Sequence, residues 1–124
     1  MPHIVFDGRV DLEGLQKLFK PITNTSNKII KIKDMYVNSQ KNNALFSTLT
    51  IDDSPQEFFI EVLTGDSKTT IRLLPLTDPK KTDSVKNAMV FISCLVSDMN
   101  PSLNITKTNL QDYLYGKKLC SKFV

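Results

Sequence analysis

The sequence predicts an α+β domain: two strand–helix–strand (βαβ) units with both helices on one face of a mixed sheet, plus an inserted antiparallel hairpin. Three observations predict it. A short β-branched opening runs into an amphipathic stretch at helical spacing. Alternating segments separated by polar turns fill the middle, and a long second helical stripe follows before a closing strand. A single domain spanning residues 1–124 accounts for the length, at which folding buries roughly two-thirds of the chain's surface.

His3-Ile4-Val5-Phe6 is apolar and β-branched, and reads as a buried strand broken by Asp7-Gly8. Asp11 offers an N-cap oxygen, and Leu12, Leu15, Leu18, Phe19 and Ile22 then recur at helical spacing. Pro21 biases Lys20 away from helical geometry and ends that helix. Residues 23–27 read as a polar turn. From Ile29 to Val37 a strand places Ile30, Ile32 and Tyr36 on one side, with Lys31, Lys33 and Met35 on the other.

Residues 39–43 make a turn before a second alternating strand, with Leu45, Ser47, Leu49 and Ile51 opposite Phe46, Thr48 and Thr50. Phe58 to Leu63 is a strand apolar on both sides. Thr64-Gly65-Asp66-Ser67 is a turn whose positive-φ residue is expected at the glycine, and Thr70 to Leu76 completes the hairpin. Thr82 caps the second helix. Val85, Ala88, Met89, Ile92, Leu95, Val96 and Met99 form its stripe, and Asn100-Pro101 stops it. Residues 102–106 read as the closing strand, followed by an aromatic tail containing Tyr113-Leu114-Tyr115-Gly116.

Composition excludes several classes. The apolar fraction of 40% and charged fraction of 23% are those of an ordinary globular chain. A net charge of +3 is mild, Arg9 and Arg72 are the only arginines, and the lysines are scattered, so a nucleic-acid partner is not expected. The longest apolar run is interrupted and too short for a bilayer, so no membrane partner is expected either. Acidic and basic residues interrupt any leader-like segment at the start, which makes a cytoplasmic location the default. Cys94 sits in the second helix and reads as a small buried hydrophobe, with Cys120 in the tail, and the two are not expected to form a disulfide framework. One histidine and two distant cysteines make no common metal pattern. No cofactor is implied.

The opening Met1-Pro2 carries the most specific chemistry. Methionine before a small residue is commonly removed, which leaves Pro2 as a secondary amine. Held beside Ile4 and Phe6, such an amine is desolvated and its pKa falls, so it becomes a base able to take a proton from carbon next to a carbonyl. Met1-Pro2-His3-Ile4-Val5-Phe6, followed by a loop and an amphipathic helix, resembles the start of the tautomerase superfamily. The closest branch is that of 5-carboxymethyl-2-hydroxymuconate isomerase, together with small tautomerase-like proteins that open Met-Pro-His. The aromatic tail is similar to a segment that ends those small proteins.

The resemblance implies a fold of two βαβ units, trimeric assembly and a Pro2 general base. It also implies cations that bind a substrate carboxylate and stabilise an enolate without any cofactor. Arg72 is the first candidate cation and Arg9 the second. Lys31 and Lys33 fall on the strand where related enzymes often carry arginine, and there lysine would supply a point charge without the bidentate fork. His3 reads as a strand residue. The leading expectation is therefore a cofactor-independent tautomerase acting on a small 2-oxo or 2-hydroxy-enoic acid. The alternative is a non-catalytic oligomeric module, because helices confined to one sheet face leave the other bare for a second copy.

Overall fold

The computed structural model describes residues 1–25 and 28–115. In chain order the elements are β1 (His3–Phe6), α1 (Leu12–Leu18), β2 (Ile22–Asn24), β3 (Ile29–Val37), β4 (Asn43–Ile51) and β5 (Pro55–Thr64). They are followed by β6 (Thr69–Leu73), α2 (Asp83–Met99), β7 (Ile105–Thr108) and α3 (Gln111–Tyr115). Among the described residues the strands form one seven-stranded sheet in the order β2-β3-β4-β5-β6-β1-β7, and every neighbouring pair is antiparallel.

This overturns the expected pair of βαβ units on a mixed sheet, and with it the tautomerase-like fold. Following the alternation through the sheet, β2 runs opposite to β1 and lies at the far edge, so α1 does not join two parallel neighbours. At seven residues α1 is only about 10 Å long, and it serves as a link across the sheet. The second unit is half-realised. Both β6 and β7 are antiparallel to β1, so they run parallel to each other with β1 inserted between them, and α2 is their crossover. Short-range spacing identified these segments, but pairing partners are long-range, and the first strand takes the slot that a βαβ unit would have closed.

The central strands are a meander whose side chains alternate cleanly. Ile4 and Phe6, Ile30 and Ile32, Ala44 and Phe46, Phe58, Ile60 and Val62, and Ile71 and Leu73 are buried on the helix-covered face. Against them α2 lays Val85, Ala88, Met89, Ile92 and Val96. Phe19, just after α1, meets Phe46 edge-on with ring centroids 5.4 Å apart. The caps form where expected: Asp11 accepts from the Gly14 N–H, and Thr82 accepts from the Val85 N–H. Gly14 also lets the helices approach, since a Cβ there would lie 2.9 Å from Met99 Cε.

Four local readings are corrected. The extended stretch of β3 contains an irregularity between Ile32 and Asp34, where Lys33 is the additional residue. The phase therefore shifts: Met35 is buried and Tyr36 is 54% exposed, the reverse of strict alternation. Ile22 belongs to β2 opposite Ile32 rather than to the first helix, because Pro21 ends helical geometry before it. Among the described residues the positive-φ residue is Lys41 (φ 59°), in the β3–β4 turn, and Gly65 is not in that region. Cys94 is fully buried, as expected, but its sulfur is disulfide-bonded; Cys120 and Gly116 lie outside the described residues. No described helix is long and apolar enough to cross a membrane.

Candidate functional site

Pro2 is buried where β1 begins, beside the first turn of α2. Asn109 fixes it from both sides. Its Oδ1 accepts the His3 N–H at 3.0 Å, while its Nδ2 donates to the Met1 carbonyl at 2.8 Å. Thr108 Oγ1 donates to the His3 carbonyl at 2.8 Å, so the end of β7 holds the start of β1 in place. The result is a cleft of about 210 Å³ lined by Met1, Pro2, Lys81, Lys86, Asn109 and Leu110. With Met1 attached, the Pro2 nitrogen is an amide and has no basic lone pair.

None of the four expected cations shares this cleft. Arg72 is the strand partner of His3, but its side chain lies on the opposite sheet face. There its Nε donates to Glu61 Oε1 at 2.7 Å, and Asn43 Nδ2 donates to Glu61 Oε2 at 2.9 Å. Arg9 lies beyond the other end of β1, paired with the exposed Asp66 at 3.2 Å. Lys31 and Lys33 sit on β3, which three strands separate from β1, a distance of roughly 19 Å at ordinary spacing. Lys33 Nζ is 2.9 Å from Glu57 Oε1. His3 is a strand residue, as read from the sequence; its ring Nδ1 lies 3.0 Å from the Met1 carbonyl.

Lys81 and Lys86, which do line the cleft, escaped sequence reasoning. They flank the Thr82 cap and look like ordinary solvated positions. Only the long-range meeting of β1 with the start of α2 gives them a role. Lys81 is ion-paired with Asp78. Lys86 Nζ stands 5.5 Å from the ring centroid of Tyr113, whose hydroxyl donates to Asp83 Oδ1 at 2.6 Å. That hydrogen bond, the largest cause, together with burial and the Asp83 charge, raises the phenol's pKa.

The start of α2 is braced by Asp52 from the β4–β5 turn. Its carboxylate accepts from Thr82 Oγ1 at 3.0 Å and Ser84 Oγ at 2.9 Å, and lies 3.3 Å from Lys28 Nζ. Burial pushes the Asp52 carboxyl up, but the bonds from Ser84, Thr82 and Lys28 outweigh it and hold the group below the ordinary value. Among the described residues no group of His, Cys, Asp or Glu is arranged to hold a metal ion.

A second candidate is the sheet face away from the helices. The register sets His3, Arg72, Glu61, Leu45 and Tyr36 in one row across five strands. Val5, Leu49, Ile51, Phe59 and Leu63 surround that row and are only half-buried, since no described element packs over them. Glu61 is the exception, its side chain 7% exposed under Arg72 and Asn43. No known protein family, curated protein or solved structure matches the chain.

Proposed function

We propose that the chain is a non-catalytic assembly module that pairs with a second copy through the open face of its sheet. The observation that carries this reading is the set of half-buried apolar side chains on that face with nothing described over them. Two further features favour a copy of the same chain. From β3 to β6 the face carries Lys31, Lys33 and Arg72 against Asp34, Glu57 and Glu61, so like faces do not repel. β3, β4 and β5, of nine, nine and ten residues, are about 30 Å long and about 4.8 Å apart, so these three offer roughly 430 Å², and the four shorter strands bring the face toward the ~800 Å² per partner of a stable interface.

Light scattering at tens of micromolar should give twice the chain mass of 14.0 kDa. The double substitution Leu49→Lys and Phe59→Lys should give a folded monomer. A wild-type monomer at every concentration removes the reading, and a trimer would point back to the assembly implied by the resemblance.

A second reading keeps the Pro2 chemistry, supported by a buried proline at a cleft that also presents two ammonium groups. Once freed of Met1, Pro2 would abstract a proton from carbon next to the carbonyl of a small oxo acid. Intact mass of the natively produced chain checks it, since retained Met1 eliminates the base. Pro2→Ala should abolish phenylpyruvate tautomerisation.

A further inference from the structure

We propose that residues 116–124 form a redox-controlled strap over the outer side of α2, tied down by a disulfide between Cys94 and Cys120. This strap involves neither the open sheet face nor the chemistry of Pro2, and its existence is independent of both readings above.

The outer side of α2 is covered. Each helical residue turns about 100° from the last, so Val90 and Cys94 lie opposite Val85, Ala88, Met89, Ile92 and Val96, which meet the sheet. A helix lying on a sheet ordinarily leaves that side in water. Here Val90 is 1% exposed and Cys94 0%, although neither belongs to the cluster packed beneath the helix. α3 meets α2 at its start, through Tyr113 on Asp83 and Lys86, about two turns short of Cys94. The cover over Cys94 therefore comes from the chain that follows α3.

The tie is covalent. The Cys94 sulfur is disulfide-bonded, and the sequence holds two cysteines, so within one chain Cys120 is its partner. With no exposed surface, Cys94 does not offer its sulfur to a second copy. The reach is sufficient. From Lys86 to Cys94 is about 12 Å along the helix axis, and the chain from Tyr115 to Cys120 can span up to about 17 Å. Leu119, Phe123 and Val124 give that segment apolar side chains to set against Val90.

Closing the strap oxidises two thiols and reduces one disulfide-bearing oxidant, such as oxidised glutathione. The Cys120 thiolate attacks the oxidant, forming a mixed disulfide and releasing one thiol. The Cys94 thiolate then attacks the Cys120 sulfur, forming the intrachain bond and releasing the second thiol. Two electrons and two protons pass from the cysteines to the oxidant. A dithiol reductant reverses both steps and leaves as a disulfide. Such bonds persist in oxidising surroundings and open in reducing ones, so reduction uncovers the apolar outer side of α2.

The full chain, equilibrated with oxidised glutathione, tests the strap. Peptide mapping without reductant should give one linked pair, one peptide carrying Cys94 and the other Cys120, from a chain that runs as a monomer on a denaturing gel. Adding a phosphine reductant should speed tryptic cutting after Lys117 and Lys118 by about tenfold or more, while cutting after Lys31 and Lys33 in β3 stays unchanged. Cys120→Ser should be cut at the fast rate with or without reductant. Absence of the linked pair after oxidation, a disulfide-linked dimer, or equal cutting rates before and after reduction overturns the proposal. Faster cutting at Lys31 and Lys33 as well would mean that reduction unfolds the domain instead of lifting a strap, and overturns it too.

Discussion

The two faces of the sheet are built from the same strands and differ chiefly in their cover. On β4, Phe46 is fully buried under Phe19 and α2, whereas its neighbour Leu45 looks the other way and stays only partly buried beside Glu61 and Tyr36. On β5 the pairs Phe58 and Phe59, and Val62 and Leu63, repeat the contrast. The helix-covered face has dense apolar packing. The open face mixes apolar side chains with satisfied ion pairs, as suits a surface that must be tolerable in water yet able to close on something.

Truncating adjacent residues of β4 separates the two faces most directly. Phe46→Ala removes a fully buried ring and should cost about 3–5 kcal/mol in denaturant unfolding. Leu45→Ala should cost less, about 1–2 kcal/mol in a dilute monomer, because its side chain is only partly withdrawn from water and its removal leaves no enclosed cavity. If the faces pair, the Leu45→Ala cost grows with protein concentration and the Phe46→Ala cost does not. Equal costs for the two at low concentration would mean that the open face is covered within a single chain.

Arg72 and Glu61 sharpen the point, because this is a buried carboxylate on a face that is otherwise open. Arg72→Ala leaves Glu61, 7% exposed, with only the Asn43 amide, and should cost about 2–3 kcal/mol. Replacing both by leucine should recover much of that loss, since matched apolar groups there need no partner. A double-mutant cycle measures the coupling, and an additive result would show that Glu61 hydrates freely in the folded state.

Asp52 belongs to neither face but secures the helix that covers one of them. Its folded pKa lies below the ordinary value of 3.8, so its contribution is fully present above that value and is lost as pH falls through the lower folded value. Asp52→Asn should therefore cost about 1–2 kcal/mol near neutral pH and progressively less below about pH 4. A difference between wild type and Asp52→Asn that is constant from pH 7 to pH 3 would show that the carboxylate charge is not what braces α2.

The sequence made the inner face largely legible, because Ile4, Phe6, Phe46, Ile60 and the α2 stripe obey local periods of two and 3.6 residues. Both caps were legible for the same reason, since Asp11 and Thr82 act within three residues of themselves. Strand order was not. Nothing local shows that β1 lies between β6 and β7, and the expected βαβ pairing failed on that point. The candidate cleft failed likewise. Pro2 could be singled out from its neighbours in sequence, but its spatial neighbours are Lys81 and Lys86, while Arg72 is one residue away in register and on the wrong side of the sheet.

The smallest effects concern the turns that keep each residue on its face, since a slip of one residue would exchange the two faces. In the β3–β4 turn Asn38 Oδ1 accepts the Asn42 and Asn43 N–H groups at 3.0 and 3.1 Å. Lys41 there holds φ 59° and pairs with Glu13. Glycine at 41 relieves a left-handed cost of about 1 kcal/mol but frees the unfolded chain and gives up the exposed pair. The net change for Lys41→Gly should lie within about 0.5 kcal/mol of zero. Gly65 is not in the left-handed region, and a Cβ there meets nothing closer than 3.8 Å, so Gly65→Ala should be neutral or slightly stabilising. A clear loss from Gly65→Ala with no loss from Lys41→Gly would place the register-setting constraint in the β5–β6 turn instead.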